Sequence, residues 1–262
     1  PLPVLVIGEI LGLPRADRPL LKKWSNQIGA FLGARQMTPQ VIERTLHDIA
    51  ELEQYFRDLV AERRRRPAAQ EDLLGAFMNA EENGAILSEQ ELLSTCSAAV
   101  FGGHETTTNL IGNAALVLAR HREAQDALRR DPTGIPSAVE EILRYEPPVL
   151  RQGRLAGEDI ELHGQQIRKG QLVFMVIGAA NRDPQQFAAP HVFNPRRSDN
   201  RHLSFGYGGH FCIGAALARM EGQLAVDGML RALPSFTLAE EPLSWVDNLT
   251  IHGLRRLQLS RA

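Results

Sequence analysis

The stretch Phe205-Gly206-Tyr207-Gly208-Gly209-His210-Phe211-Cys212-Ile213-Gly214 constrains this chain more than any other. Glycines at 206, 208 and 209 tolerate positive φ and let the backbone lie against something flat. A helical pattern follows from Gly214 to about Leu233, with Leu217, Ala218, Arg219 and Glu221 near its start. Cys212 therefore stands just ahead of helix-start amides, which favour an anionic sulfur. The loop either presents a soft ligand or holds an inert buried cysteine in a Gly-rich turn. Spacing removes the commoner alternatives. A dinucleotide fingerprint needs Gly at 211, where Phe stands, and a P-loop needs Gly-Lys-Ser/Thr. Zinc needs more Cys or His partners than His210-Phe211-Cys212 provides.

The rest of the pattern is mainly α with a minor β-sheet. Leu20, Leu21, Trp24, Ile28, Phe31 and Leu32 predict a helix over 19–32, and Thr38-Pro39 caps a second, longer one. That one ends in Arg63, Arg64, Arg65 and Arg66 before Pro67, which reads as a solvated helix end suited to the dipole, or else as a docking patch. Ser88-Glu89-Gln90-Glu91 is a capping box opening a helix to about Arg120, ~48 Å at ~1.5 Å per residue. A shorter helix over 136–145 must stop at Pro147-Pro148. Short strands are expected at Ile160–Leu162, around Ile167, at Leu172–Ile177 and between Phe236 and Leu259. The long irregular segment before Cys212 is unusual enough to suggest function.

Composition excludes several classes. With 29 basic and 31 acidic side chains the net charge is -2, so no long-range field draws the chain to nucleic acid or anionic lipid. No apolar run is long enough for a membrane span. Two cysteines, Cys96 and Cys212, are too few for a disulfide framework, so a cytoplasmic setting is expected. Cys96 reads as a small core residue. The chain opens Pro1-Leu2-Pro3 without Met or a signal-peptide pattern, which reads as a piece of something longer.

Two further constellations stand out. In Phe101-Gly102-Gly103-His104-Glu105-Thr106, two glycines and an acid–alcohol pair interrupt an apolar helical run, a local conflict that marks a site or a structural kink. A zinc-protease reading fails because position 108 is Thr. Glu141 and Arg144, three apart, share a helix face; in isolation they read as an exposed ion pair worth ~0.3 kcal/mol.

The Cys loop resembles the haem-binding loop of the cytochrome P-450 monooxygenases, every position of Phe-Gly-x-Gly-x-x-x-Cys-x-Gly being met. The resemblance implies the cytochrome P-450 fold, truncated at the N-terminus, with residues 1–262 forming a haem-binding domain that is the C-terminal portion of a longer fold. It implies haem b (iron protoporphyrin IX) with Cys212 as axial thiolate, and Phe205, Gly206 and Gly103 beside the cofactor. Gly102 and Gly103 would leave room for O2 at a loosened helix turn, while Glu105 and Thr106 would serve oxygen activation and proton relay. His104 falls at a variable position and is given no role.

By the same matching, Glu141, Arg144 and Arg197 would form a buried charge triad holding the segment that carries the loop. Arg154, His202 and His210 would donate to the haem carboxylates, unless they are surface cations. Val149-Leu150-Arg151-Gln152, with Ala98 and Phe101, would line the substrate pocket or simply pack. The resemblance runs from Ile7–Pro14 to Leu259 and covers none of the family's earlier part, which supplies most of its larger sheet and a pocket-closing loop. The implied activity is insertion of one oxygen atom from O2 into a small apolar molecule. Electrons would come from a separate ferredoxin or flavodoxin, since no flavin or iron–sulfur motif is present. The competing reading is a non-catalytic haem-binding or interaction protein left by truncation.

Overall fold

The structure is a computed structural model that describes residues 2–65, 71–82 and 85–261. Arg66 and Pro67 lie outside them. The chain divides into two compact units, Pro1–Thr108 and Asn109–Ala262.

In the first unit, α1 (Leu2–Ile10), α2 (Arg18–Leu32), α3 (Pro39–Arg65) and the short α4 (Leu73–Met78) precede an antiparallel pair, β1 (Glu81–Glu82) with β2 (Ala85–Ile86). The long α5 (Glu89–Arg120) begins here and continues into the second unit. Both long helices start on side-chain caps. Thr38 Oγ1 accepts from the Val41 amide at 3.3 Å, and Ser88 and Glu91 exchange a reciprocal capping box, Ser88 N–H donating to Oε2 at 2.8 Å. The apolar stripes of α1, α2, α3 and α5 meet in a core that includes Ile7, Trp24, Phe56 and Val100. Cys96 is fully buried in it, and burial pushes its thiol up to about 11.

The arginine run is not uniformly solvated. Arg64 and Arg65 are exposed, but Arg63 donates to Asp72 Oδ1 at 2.6 Å and to the Gly12 carbonyl at 3.0 Å. Asp72 in turn caps α4 through the Gly75 amide, so Arg63 ties three segments together. Helical periodicity conceals such a tie because its partners are distant in sequence.

The second unit contains the end of α5, then α6 (Arg122–Arg130) and α7 (Ile135–Tyr145). Next come β3 (Gln152–Leu155), β4 (Ile160–Leu162), β5 (Gln165–Ile167) and β6 (Leu172–Met175). A one-turn α8 (Ile177–Ala180) precedes the irregular stretch to α9 (Ala215–Ala232), after which β7 (Phe236–Leu238), β8 (Ser244–Trp245), β9 (Leu254–Arg256) and β10 (Leu259–Arg261) end the unit. The core lies between α7, α9 and the C-terminal half of α5, with Leu110, Ile142, Val226 and Phe236 in it.

The minor sheet is a set of separate two-stranded antiparallel pairs among the described residues, including β3–β6, β4–β5, β7–β10 and β8–β9. The apolar run 172–177 does not stay extended to its end: β6 stops at Met175 and Ile177 opens α8. Short apolar runs do not distinguish strand from helix by periodicity. Among the described residues no helix is long and apolar enough to cross a membrane.

Candidate functional site

Within the second unit, the Cys loop is built by backbone hydrogen bonds that only its glycines allow. Gly206 and Gly208 adopt φ of 74° and 70°, in the left-handed region. The Gly206 amide donates to Leu203 O at 2.8 Å, Phe211 N–H to Gly208 O at 2.9 Å, and Cys212 N–H to Phe205 O at 2.9 Å. The loop thus folds back on itself and delivers Cys212, a free and exposed cysteine, three residues before α9. Tyr207, Phe211 and Ile213 flank it with their side chains outward, Ile213 fully exposed. An exposed thiol does not fit the inert-core reading of Cys212.

The start of the loop is pinned from below. Fully buried Asn181 accepts from the Leu203 amide at 2.8 Å and donates to Ser204 Oγ at 2.9 Å, while the Ser204 hydroxyl donates to Leu143 O at 2.7 Å. These bonds connect the loop to the end of α7.

On α7, Glu141 and Arg144 are both completely buried and joined twice, Nε to Oε2 and Nη2 to Oε1, each at 2.8 Å. Arg197 Nε reaches the same Oε2 at 3.0 Å. The exposed-pair reading of Glu141 and Arg144 is therefore wrong for this fold. Arg144 also donates to the carbonyls of Asn181 and Pro190 at 2.9 and 2.8 Å, and Arg197 to that of Ala188 at 2.8 Å. The residues between α8 and the loop have no regular ladder for these carbonyls, so the two guanidinium groups satisfy them. Ala189, at φ 45°, is held in a left-handed conformation inside this network.

His202 departs from the expectation of a free carboxylate donor. Its Nε2 lies 3.1 Å from Glu140 Oε2 and its Nδ1 accepts from the Ser204 amide at 3.2 Å, so both ring nitrogens are engaged within the protein. Its side chain is 3% exposed. Arg154 and His210 are placed differently: both are exposed, Arg154 on β3 with Nη1 donating to Gly153 O at 2.8 Å. In the 149–152 segment, Arg151 lies over the Phe174 ring at 4.2 Å.

Within the first unit, the acid–alcohol segment is a continuous part of α5. The helix turn is not loosened there; the Thr106 hydroxyl donates to the Gly102 carbonyl at 2.9 Å, closing the turn. The two glycines differ. A Cβ on Gly102 would meet nothing within 4 Å, whereas one on Gly103 would lie 2.7 Å from Ile7 Cγ1. Gly103 is thus small to let α1 approach α5, and the open side of this turn belongs to Gly102. His104 is buried, its Nδ1 3.0 Å from Ser25 Oγ on α2, and burial lowers its pKa to about 4. It stays neutral and structural. Phe101 and Glu105 both pack against Gly29 of α2.

Sequence reasoning missed Glu140 and the asparagines. Glu140 binds His202 and Arg219, and Asn200 donates to Glu141 at 3.2 Å. No spacing signal marks these partners, which come from remote parts of the chain.

The cytochrome P450 family model matches residues 19–133 and 135–245. The chain is 40% identical over 264 residues to the polyketide biosynthesis cytochrome P450 PksS of Bacillus subtilis, covering 99% of this chain and 63% of that protein. It is 37% identical to the cyclomarin C epoxidase CymV of Salinispora arenicola, covering 99% of this chain and 65% of that one. Among solved structures, P450BioI in complex with an acyl carrier protein ligated to hexadec-9Z-enoic acid superposes with a TM-score of 0.93 at 38% identity, over 100% of this chain and 66% of that one. The chain belongs to the cytochrome P450 family, with its fold. It spans about three fifths of the length of the curated relatives it matches.

The family implies a haem, and the residues present fit one. An exposed soft sulfur donor lies on a loop whose Gly208 and Gly209 would place no Cβ near other atoms, flanked by outward apolar side chains. Exposed cationic or donor groups at Arg154 and His210 suit carboxylates.

Proposed function

We propose that this chain is the haem-binding portion of a haem-thiolate monooxygenase acting on a small apolar organic molecule, with residues 1–262 serving as one functional domain. The exposed Cys212 thiol, on a loop anchored to α7, is the observation that carries this reading. Cys212 would ligate the iron of haem b, with Phe205 and Gly206 beside the ring and Arg154 and His210 donating to its carboxylates. When bound, the haem supplies activation of O2 and transfer of one oxygen atom to the substrate.

The protein's own contribution is rigidity, proton handling and substrate contact. Glu141, Arg144 and Arg197 would keep the loop's supporting segment from relaxing when the sulfur is loaded. Thr106 Oγ1, its proton directed at the Gly102 carbonyl, keeps lone pairs for accepting a hydrogen bond, and Glu105 would hold and pass the proton that oxygen chemistry consumes. Val149–Gln152, Ala98 and Phe101 would meet the substrate. Electrons would come from a separate ferredoxin or flavodoxin, in the cytoplasm. The acid–alcohol pair supports turnover over the non-catalytic alternative, which has no use for a proton relay.

The test is spectroscopic. Reduced, haem-loaded protein under carbon monoxide is expected to give the red-shifted band of a thiolate complex, and Cys212→Ser to abolish it. A band that survives the substitution, or that never forms in loaded protein, would falsify the assignment.

A further inference from the structure

Glu140 and Glu141 are neighbours on α7, but side chains one residue apart leave a helix about 100° apart. While Glu141 faces the segment before the loop, Glu140 gathers two groups from the loop and α9. Arg219 Nε and Nη2 lie 2.8 and 2.9 Å from its two oxygens, a forked pair, and His202 Nε2 lies 3.1 Å from Oε2. Burial acts to raise the Glu140 pKa; the hydrogen bonds and charges of His202 and Arg219 outweigh it and bring it down to about 2.

The clamped guanidinium sits over the Phe205 ring, 4.5 Å from its centroid. Phe205 is also the residue whose carbonyl accepts the Cys212 amide at 2.9 Å. Arg219 and Cys212 therefore meet at one residue, Phe205; the arginine pKa is raised chiefly by the Glu140 hydrogen bond, with a smaller favourable contribution from the charge of Cys212.

We propose that Arg219, locked by Glu140 and seated on Phe205, is a positioning residue that sets the electrostatic field at the Cys212 sulfur and so tunes the reduction potential of the iron bound there. This rests on Cys212 being the haem ligand. A fixed cation beside an anionic sulfur stabilises its charge, draws electron density from the metal and favours the reduced state. Arg suits the position because its planar fork meets a carboxylate while its face stacks on a ring, which a lysine ammonium does not do.

The experiment is a spectroelectrochemical titration of haem-loaded wild type, Arg219→Gln, Arg219→Met and Arg219→Lys, with the carbon monoxide band recorded for each. Both neutral variants are expected to shift to a more negative potential while retaining the thiolate-type band. Methionine keeps the packing on Phe205 and provides the measurement if the glutamine variant loads no haem. Arg219→Lys should recover part of the shift, since charge is restored without the clamp. A wild-type potential in a neutral variant, or equal shifts in the lysine and neutral variants, overturns the proposal. Absence of the thiolate band in the wild type overturns the ligand assignment itself, and is visible before any variant is compared.

Discussion

Glu141 and Arg197, 56 positions apart, meet through a 3.0 Å contact between Oε2 and Nε on a glutamate with no exposed side-chain surface. The same carboxylate takes two bonds from Arg144, one from the Asn194 amide and one from Asn200. Glu141→Ala should strand two guanidinium groups and cost about 3–5 kcal/mol. Denaturant unfolding and the yield of haem-loaded protein measure this; a cost below ~1 kcal/mol would mean the network contributes no more than a surface pair.

Because Cys212 is exposed, Cys212→Ser should leave unfolding stability within ~0.5 kcal/mol of wild type in haem-free protein. Haem spectra and stability are thereby separable, and a large loss of stability in the serine variant would point to a structural role for the sulfur.

Gly102 and Gly103 should respond oppositely to alanine. At Gly102 nothing stands within 4 Å, so Gly102→Ala is expected to gain up to about 1 kcal/mol of helix stability in haem-free protein. Gly103→Ala drives a methyl group into Ile7 and should lose about 1–3 kcal/mol, with Ile7→Ala added to it restoring part. Equal melting temperatures for the two alanine variants would contradict the packing described.

Thr106→Ala removes a hydroxyl that donates to a carbonyl already used by the helix, so folding should be unaffected. With an electron donor and a substrate, product per electron pair should fall and hydrogen peroxide should rise, while Glu105→Gln should chiefly slow turnover. Unchanged product yield and peroxide in Thr106→Ala would remove Thr106 from the chemistry.

Glu221 on α9 is 4% exposed, has an unpartnered Oε2, and is pushed by burial up to about 7. Its folded pKa lies above the unfolded value, so its favourable contribution is complete below pH ~4.5 and is lost as pH rises towards 7. Glu221→Gln should raise stability by about 3 kcal/mol at pH 8 and hardly at all at pH 4. Parallel stability–pH curves for variant and wild type would show that Glu221 titrates normally.

The sequence by itself determined α2, α3, α5, α7, α9 and the ligand loop, because their signals are local, while α1, α4, α6 and α8 carried no such signal. Thr38-Pro39 and Ser88–Glu91 cap helices with partners three residues away, Pro147-Pro148 removes an amide the helix needs, and positive φ at 206 and 208 requires the glycines standing there. Family membership followed from the same loop. Tertiary structure alone decided which charges are buried and what each small residue is small for. Arg63 left the solvent for Asp72, His202 turned to Glu140 and Gly103 made room for Ile7. An ion pair three residues apart reads the same whether wet or dry; the desolvation that makes Glu141 and Arg144 costly to break comes from chain segments more than thirty residues away, packed over them by the fold.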